Sequence, residues 1–302
     1  MNLLQEEKFA RFREAATTGD FPNLLREDYQ DMVLSAYGEV DQPLVGLART
    51  LPSDLQTETY RGLTPMQDIT QIVPEGGEFG EIRLSEKATR SITNYKRGAM
   101  IAVTWEMIRY NKLAEFNRLG NYLGNSIGRS VELAVRDVIE TTTNTATSSA
   151  GTLTLNRANL ETQITYFKKQ TATCADASTV PLGIVPDTLL IPPDLEFEAR
   201  RLLQSALIPG AHDNDVNVLK SMLNIAVSHD LSSTSVWYIL KKSWLNGLVL
   251  QTVEGPPPQV AVQDIKSTQT DGVIRYDKIL YRGKVVFGSG VLDTAWCLRS
   301  TN

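Results

Sequence analysis

Between Lys112 and Ile139 the apolar residues Leu113, Phe116, Leu119, Leu123, Ile127, Val131, Val135 and Val138 recur in steps of three and four. That spacing aligns on one face only in a helix. A helix of this length spans roughly 42 Å at 1.5 Å per residue, far beyond the ordinary three or four turns. Beside the apolar stripe runs a second one, Gly120, Gly124 and Gly128. Each glycine costs about 1 kcal/mol of helix propensity against alanine, so something must offset the loss. Small residues at this spacing serve membrane helix dimers, but Asn121, Asn125, Arg129 and Glu132 exclude a bilayer span. Close approach of another backbone is the better account. Glu132 stands four residues before Arg136, a pairing that supports an exposed helical flank. The run Thr141 to Ser149, β-branched and short polar, ends the helix by competing for its hydrogen bonds.

Upstream, period-2 alternation predicts a hairpin whose first arm carries Phe79, Ile82 and Leu84 and whose second runs through Ile92, Ile101 and Val103. Its crest is polar, Ser85 to Ser91. Glu78, Glu81 and Glu86 are mixed with Arg83, Lys87 and Arg90, then Lys96 and Arg97 follow on the returning arm. Two isolated strands are marginal in water, so the hairpin needs a surface to lie on, its own domain or another. Neither hairpin nor helix contains a catalytic motif.

Residues 1–75 read differently. Two short helical patterns, Leu4 to Ala16 and Leu24 to Tyr37, precede a segment broken at Pro43, Pro52, Pro65 and Pro74, which favours extended or turning backbone. Leu44, Val45, Leu47, Leu51, Leu55 and Met66 are too many apolar residues for a solvated linker. They call for burial, in an oligomer against a neighbour. After the long helix, Asn159 to Gln170 reads as a shorter helix and Thr171 to Pro186 as a loop. Thr188 to Ile191 reads as a buried strand, and Pro192-Pro193-Asp194 opens a helix with Leu195, Ala199, Leu202 and Leu203. Strands are predicted at Leu223 to Val227, Val236 to Leu240 and Leu248 to Val253, with two alternating C-terminal runs around Arg282-Gly283. Helices and strands in no repeating βαβ order give an α+β class.

Chemistry is sparse. The 302 residues carry a net charge of -5, against a protein that grips phosphates through a basic patch, though not against one that encloses nucleic acid. The first residues, Met1 to Glu7, lack a basic n-region and an apolar h-region, so synthesis in the cytoplasm is expected. Cys174 and Cys297 have neither disulfide density nor metal spacing. The histidines are His212 and His229. His212-Asp213-Asn214-Asp215 offers metal-ligating atoms but lacks the spacing and closing glutamate of a calcium loop, and reads as a polar turn after Pro209-Gly210. No GxSxG elbow, Walker loop or GxGxxG is present, and Pro74-Glu75-Gly76-Gly77-Glu78 is too acidic to cradle phosphate. The four tryptophans, Trp105, Trp237, Trp244 and Trp296, read as core residues or interface anchors. No enzyme activity, cofactor or metal is expected.

The stretch from Leu189 to Leu240 contains LLIPPDLEFEARRLLQS, ALIPGAHDNDVNVLKSMLNIAVSHDL and SVWYIL. It resembles the A-domain signature of tailed-bacteriophage major capsid proteins, in the branch similar to Mu-type prophage head subunits. The block from Gly77 to Ile139 is similar to the same family's extended loop and spine helix. The sequence departs from relatives at Thr104-Trp105-Glu106 ahead of that helix. The resemblance implies an N-terminal arm over 1–75, an extended β-hairpin loop (E-loop) over 76–104, and a P-domain over 105–185 with its spine helix at 112–140. An A-domain over 186–272 and C-terminal strands over 273–302 returning to the P-domain complete it. It further implies a subunit that self-assembles as pentamers and hexamers of an icosahedral virion head around double-stranded DNA. Scaffold, portal and possible decoration proteins would be partners, with no membrane and no sequence-specific DNA binding. An encapsulin-like nanocompartment shares the fold, and a metal-dependent enzyme using His212, Asp213 and Asp215 is the rival from another class. Intersubunit contact is expected at Glu78, Glu81, Arg83, Glu86, Lys87, Arg90, Lys96 and Arg97, and close packing at Gly120, Gly124 and Gly128. Some members join subunits from a loop lysine to an asparagine; Lys87 or Lys96 would be the donor, but no motif marks an acceptor.

Overall fold

The computed structural model describes residues 31–66, 72–81, 85–104, 113–141, 144–145, 154–207, 216–253, 261–264 and 278–300. The described elements, in chain order, begin with helix α1 (31–39), a 3-10 turn at Val45–Leu47, and strands β1 (Arg49–Pro52), β2 (Thr57–Leu63), β3 (Glu86–Thr93) and β4 (Tyr95–Thr104). There follow α2 (Leu113–Thr141), β5 (Asn144–Thr145), α3 (Arg157–Lys168), β6 (Thr171–Thr173), β7 (Thr179–Pro181), β8 (Thr188–Ile191) and α4 (Glu196–Gln204). The last strands are β9 (Asn224–Val227), β10 (Tyr238–Leu240), β11 (Leu248–Thr252), β12 (Ala261–Asp264), β13 (Lys278–Val291) and β14 (Cys297–Arg299). They fall into two compact units: Met1–Gln42, Tyr95–Val131 and Pro257–Phe287 form the first, and the remaining residues the second.

In the first unit the two stripes of α2 face two different partners. Leu123 and Ile127 are buried beneath β13 at Gly283, where a Cβ would lie 2.8 Å from Ile127 Cδ1 and 3.0 Å from Leu123 Cδ2. The β13 strand there pairs antiparallel with the whole of β4, Lys278↔Thr104 to Phe287↔Tyr95, and with β12 on its other edge. Gly98 lies within that ladder. A side chain at Gly98 would run into the Gly283 carbonyl, so its missing Cβ admits the neighbouring strand. The glycine stripe instead receives α1 and the residues after it. A Cβ at Gly124 would collide with the Val33 carbonyl oxygen and sit 2.8 Å from Ala36 Cβ, and one at Gly128 would sit 2.9 Å from Val40 Cγ2. Gly120 is buried too.

The second unit is built on a five-stranded sheet in the order β5-β14-β10-β8-β9, mixed parallel and antiparallel. The strands β8 and β10 are buried at every residue, as their unbroken apolar runs require. Helices α3 and α4 cover the sheet with Leu160, Ile164 and Phe167 and with Ala199, Leu202 and Leu203, packed around Trp237. Asn156 caps α3 by accepting the Asn159 N–H at 2.8 Å. Burial of Cys297 pushes its thiol well above the ordinary cysteine range, which makes it a packing residue. The Thr171 to Pro186 segment, expected to be a loop, holds the short hairpin β6–β7. The two C-terminal runs expected around Arg282-Gly283 are one strand, β13, continuous through Gly283.

Glu132 departs most from expectation. It is fully buried, and its carboxylate accepts the Leu44 N–H at 2.8 Å and the Val45 N–H at 3.1 Å, at the start of the 3-10 turn. Charge-assisted bonds to backbone donors are what make a buried carboxylate tolerable. Arg136 turns elsewhere, to Asp137 at 2.6 Å and the Asp230 carbonyl at 3.2 Å. Leu44 and Leu47 are buried in the chain's own second unit, without a neighbour.

Candidate assembly surface

The loop reading of residues 76–104 needs correction. Its expected crest is a strand: β3 pairs antiparallel with β2, Thr57↔Thr93 to Leu63↔Glu86, with an irregularity between Tyr60 and Gly62. The ribbon is therefore β2–β3, with a tip of which residues 64–66, 72–81 and 85 are described, and its first strand lies within the expected arm. The pairing was hidden because β2, Thr-Glu-Thr-Tyr-Arg-Gly-Leu, has hardly any apolar residues for an alternation test to register. Of the expected first arm, Phe79 lies in no strand, and Ile82 and Leu84 lie outside the described residues. The second arm joins another sheet, since β4 pairs with β13.

One face of the ribbon is held at its base. Ile92 is buried against Gly290, where a Cβ would be 2.7 Å from Ile92 Cγ1, and the Tyr60 hydroxyl accepts from Gln251 Nε2 at 2.6 Å. Asn94, buried where the chain leaves β3, donates to Ser53 Oγ at 2.8 Å and the Leu55 carbonyl at 2.7 Å. On the other face Thr57 meets Thr93 and Thr59 meets Ser91, with Arg61 3.7 Å from Glu86. An ion pair that exposed adds under about 1 kcal/mol, so it orients rather than stabilises.

Most of the expected contact residues are exposed on this ribbon or near it. Glu78 and Glu81 are exposed in the tip, and Glu86, Lys87 and Arg90 on β3. Arg83 lies outside the described residues. Lys87 already binds Asp293 of its own chain at 2.6 Å. In the first unit Lys96 and Arg97 are exposed on β4; Arg97 donates to the Ser130 carbonyl at 3.1 Å and stacks 5.0 Å over the Phe287 ring. The structure thus gathers the charges of the second unit on one ribbon and leaves Lys96 and Arg97 on a different sheet.

Of the arm residues expected to call for burial, Leu55 and Met66 stay exposed; Leu63 and Ile72 were not singled out, and Phe79 was read as part of a strand. Leu55, Leu63, Met66, Ile72 and Phe79 all lie exposed, Ile72 at 91% and Phe79 at 84%. Phe197 on α4 and Val216 and Val218 beyond it form another exposed group. Large apolar side chains set this openly along one ribbon mark a surface that another protein covers. Pro74–Gly77 folds into a turn closed by the Gly77 N–H on the Pro74 carbonyl at 2.8 Å, with Gly76 at φ +77°, a conformation that favours glycine. His212, Asp213 and Asp215 lie outside the described residues. Among the described residues no group of three or more His, Cys, Asp or Glu converges as a metal site, and no helix is long and apolar enough to cross a membrane.

Comparison with known proteins agrees with a surface made for association. Residues 87–300 match the family model described as phage capsid protein. No curated protein matches the chain. Among solved structures, a chain from Microbacterium phage Oxtober96 superposes with a TM-score of 0.56 at 10% identity, covering 85% of this chain and 90% of that one. The virus-like particle from Pyrococcus furiosus gives 0.53 at 11% identity, covering 91% and 98%. The capsid of cyanophage P-SCSP1u gives 0.53 at 14% identity, covering 85% and 86%. These likenesses show the fold, and the family match spans more than half of the sequence. The chain belongs to the phage capsid protein family.

Proposed function

We infer that this chain is the major capsid protein of a tailed phage or prophage, the repeated subunit of an icosahedral head around double-stranded DNA. The observation that carries this is the family match over 87–300. The fold likeness to phage capsid chains over most of both molecules supports it. The subunit's work is self-association into pentamers and hexamers, in the virion after synthesis and assembly in the host bacterial cytoplasm. Scaffold and portal proteins, and possible decoration proteins, are its partners. The β2–β3 ribbon lies across an adjacent subunit, where Glu78, Glu81, Arg83, Glu86 and Arg90 set register while the exposed apolar residues carry affinity. Lys87 and Arg97, each engaged within its own chain, hold the subunit's shape instead. Expression of the chain, alone and with its scaffold, gives shells or capsomers by electron microscopy; a persistent monomer under all assembly conditions overturns the reading.

A second reading shares the fold: a shell that encloses protein cargo. The likeness to the Pyrococcus furiosus virus-like particle over nearly the whole of that chain favours keeping it. Nuclease-resistant DNA inside purified particles supports the head; protein cargo without DNA supports the compartment.

A further inference from the structure

The second unit contains an open cleft of about 660 Å³, between Thr64, Pro65 and Lys87 of the ribbon, the end of α3, the β6–β7 hairpin and the residues after β13. Its size is that of a site for a ligand or a short chain segment. Its chemistry is one-sided. Lys87 and Asp293, both on its wall, neutralise each other at 2.6 Å. Lys169 makes no ion pair among the described residues, and Gln170 beside it has a buried Nε2 donor without a hydrogen-bond partner. Threonine hydroxyls add further donors, while Tyr166 and Leu182 supply apolar walls. A buried unpartnered donor is destabilising unless an acceptor reaches it. The cleft therefore asks for an extended segment with carboxylates and one apolar anchor.

The same chain carries such a segment. Glu78-Phe79-Gly80-Glu81 is exposed throughout and in no strand, its two carboxylates make no ion pair among the described residues, and residues 72–81 contain no lysine or arginine. Phe79 at 84% exposure is not covered by its own subunit, and Gly80 lets the backbone approach a wall closely. We propose that the Glu78–Glu81 segment of one subunit seats in the cleft of a neighbouring copy, Phe79 between Tyr166 and Leu182, its flanking carboxylates on Lys169 and Gln170. The proposal rests on the shell-subunit reading and names the partner surface for the ribbon tip. The seated segment and the cleft are different residues of the chain, so the contact is head-to-tail, of the kind that closes rings.

Two experiments on the full chain test it. In the Glu81→Cys/Thr173→Cys double variant, mild oxidation of assembled shells produces a ladder of covalent oligomers on non-reducing gels, absent from either single variant and from unassembled protein. In the second, Lys169→Glu alone and Glu78→Lys/Glu81→Lys alone each lower shell yield at least tenfold with an unchanged circular dichroism spectrum, and the combined variant returns to within threefold of wild type. Wild-type chain that forms no shells sinks the assembly reading and this contact with it. Wild-type shells whose double-cysteine subunits stay monomeric, together with no rescue in the combined variant, overturn this contact alone and leave the cleft to a different partner.

Discussion

Residues 31–48 and 55–81 both carry large apolar side chains, and they meet opposite fates. In the first stretch Val33 and Ala36 press into the glycine seats of α2, and Leu44 and Leu47 are buried behind the Glu132 carboxylate. In the second, Leu55, Leu63, Met66, Ile72 and Phe79 remain open to solvent. The difference is in what each backbone meets. The first has dedicated partners within its own chain, two glycines cleared of side chain and a carboxylate placed for two amides. The second is anchored at its base, by Tyr60 on Gln251 and, through the paired strand β3, by Ile92 on Gly290. A folded subunit is content to leave apolar groups outside when assembly covers them.

Four measurements break or sharpen that contrast. The largest effect is expected for Glu132→Ala, which strips one buried and one partly buried N–H group of their acceptor and destabilises the subunit by about 3 kcal/mol. A denaturant midpoint unchanged from wild type would show that residues 44–47 do not depend on this grip. Next, Gly124→Val drives a side chain into the Val33 carbonyl and costs about 2 kcal/mol through overpacking, read by thermal unfolding; an increase in stability would mean the seat is not formed. Smaller is the acid response of Asp187, a control in the body of the second unit. Partial burial raises its pKa, but hydrogen bonds from the Lys242 N–H, Lys241 and Thr188 outweigh that and hold the carboxyl below its usual range. A lowered folded value contributes stability above the unfolded pKa of about 4, lost as pH falls through the folded one. Asp187→Asn removes that part of the acid dependence, worth under about 1 kcal/mol for so exposed an ion pair. Least of all should Phe79→Asp move subunit stability, which stays within about 0.5 kcal/mol, while shell yield collapses. A matching loss of stability would place Phe79 with the seated residues instead.

Deleting residues 72–81 is likewise a cleaner probe of assembly than removing 82–93, because the latter takes out all of β3 with its buried Ile92.

The fold was legible where burial is total or periodicity long. Helix α2 stood out from its stripe, and β8, β10 and β11 from apolar runs that a two-sided burial demands. The glycine stripe announced a close neighbour but not which one, since nothing in Gly124 names Val33. Elements defined by distant pairing were not legible. The β2 strand is too polar to alternate, and its partner lies more than twenty residues on, so the crest of an expected local hairpin was half of a wider one. Glu132 misled for a related reason: a pairing rule along one helix sees Arg136 and cannot see amides 88 residues away. The candidate contact residues read from the sequence are all charged. Leu55 and Met66 were marked as needing cover, but Leu63, Ile72 and Phe79 were not, because an apolar residue reads as core until a surface leaves it uncovered.

The Leu44 and Val45 amides hang on a side chain, outside any strand ladder. Such protons exchange with solvent only when the carboxylate lets go or the unit opens. Their exchange lifetimes, set against those of Ile239 and Leu250 amides in the sheets, time the release of the segment separately from unfolding. If shells change shape after they close, those two protons keep the clock.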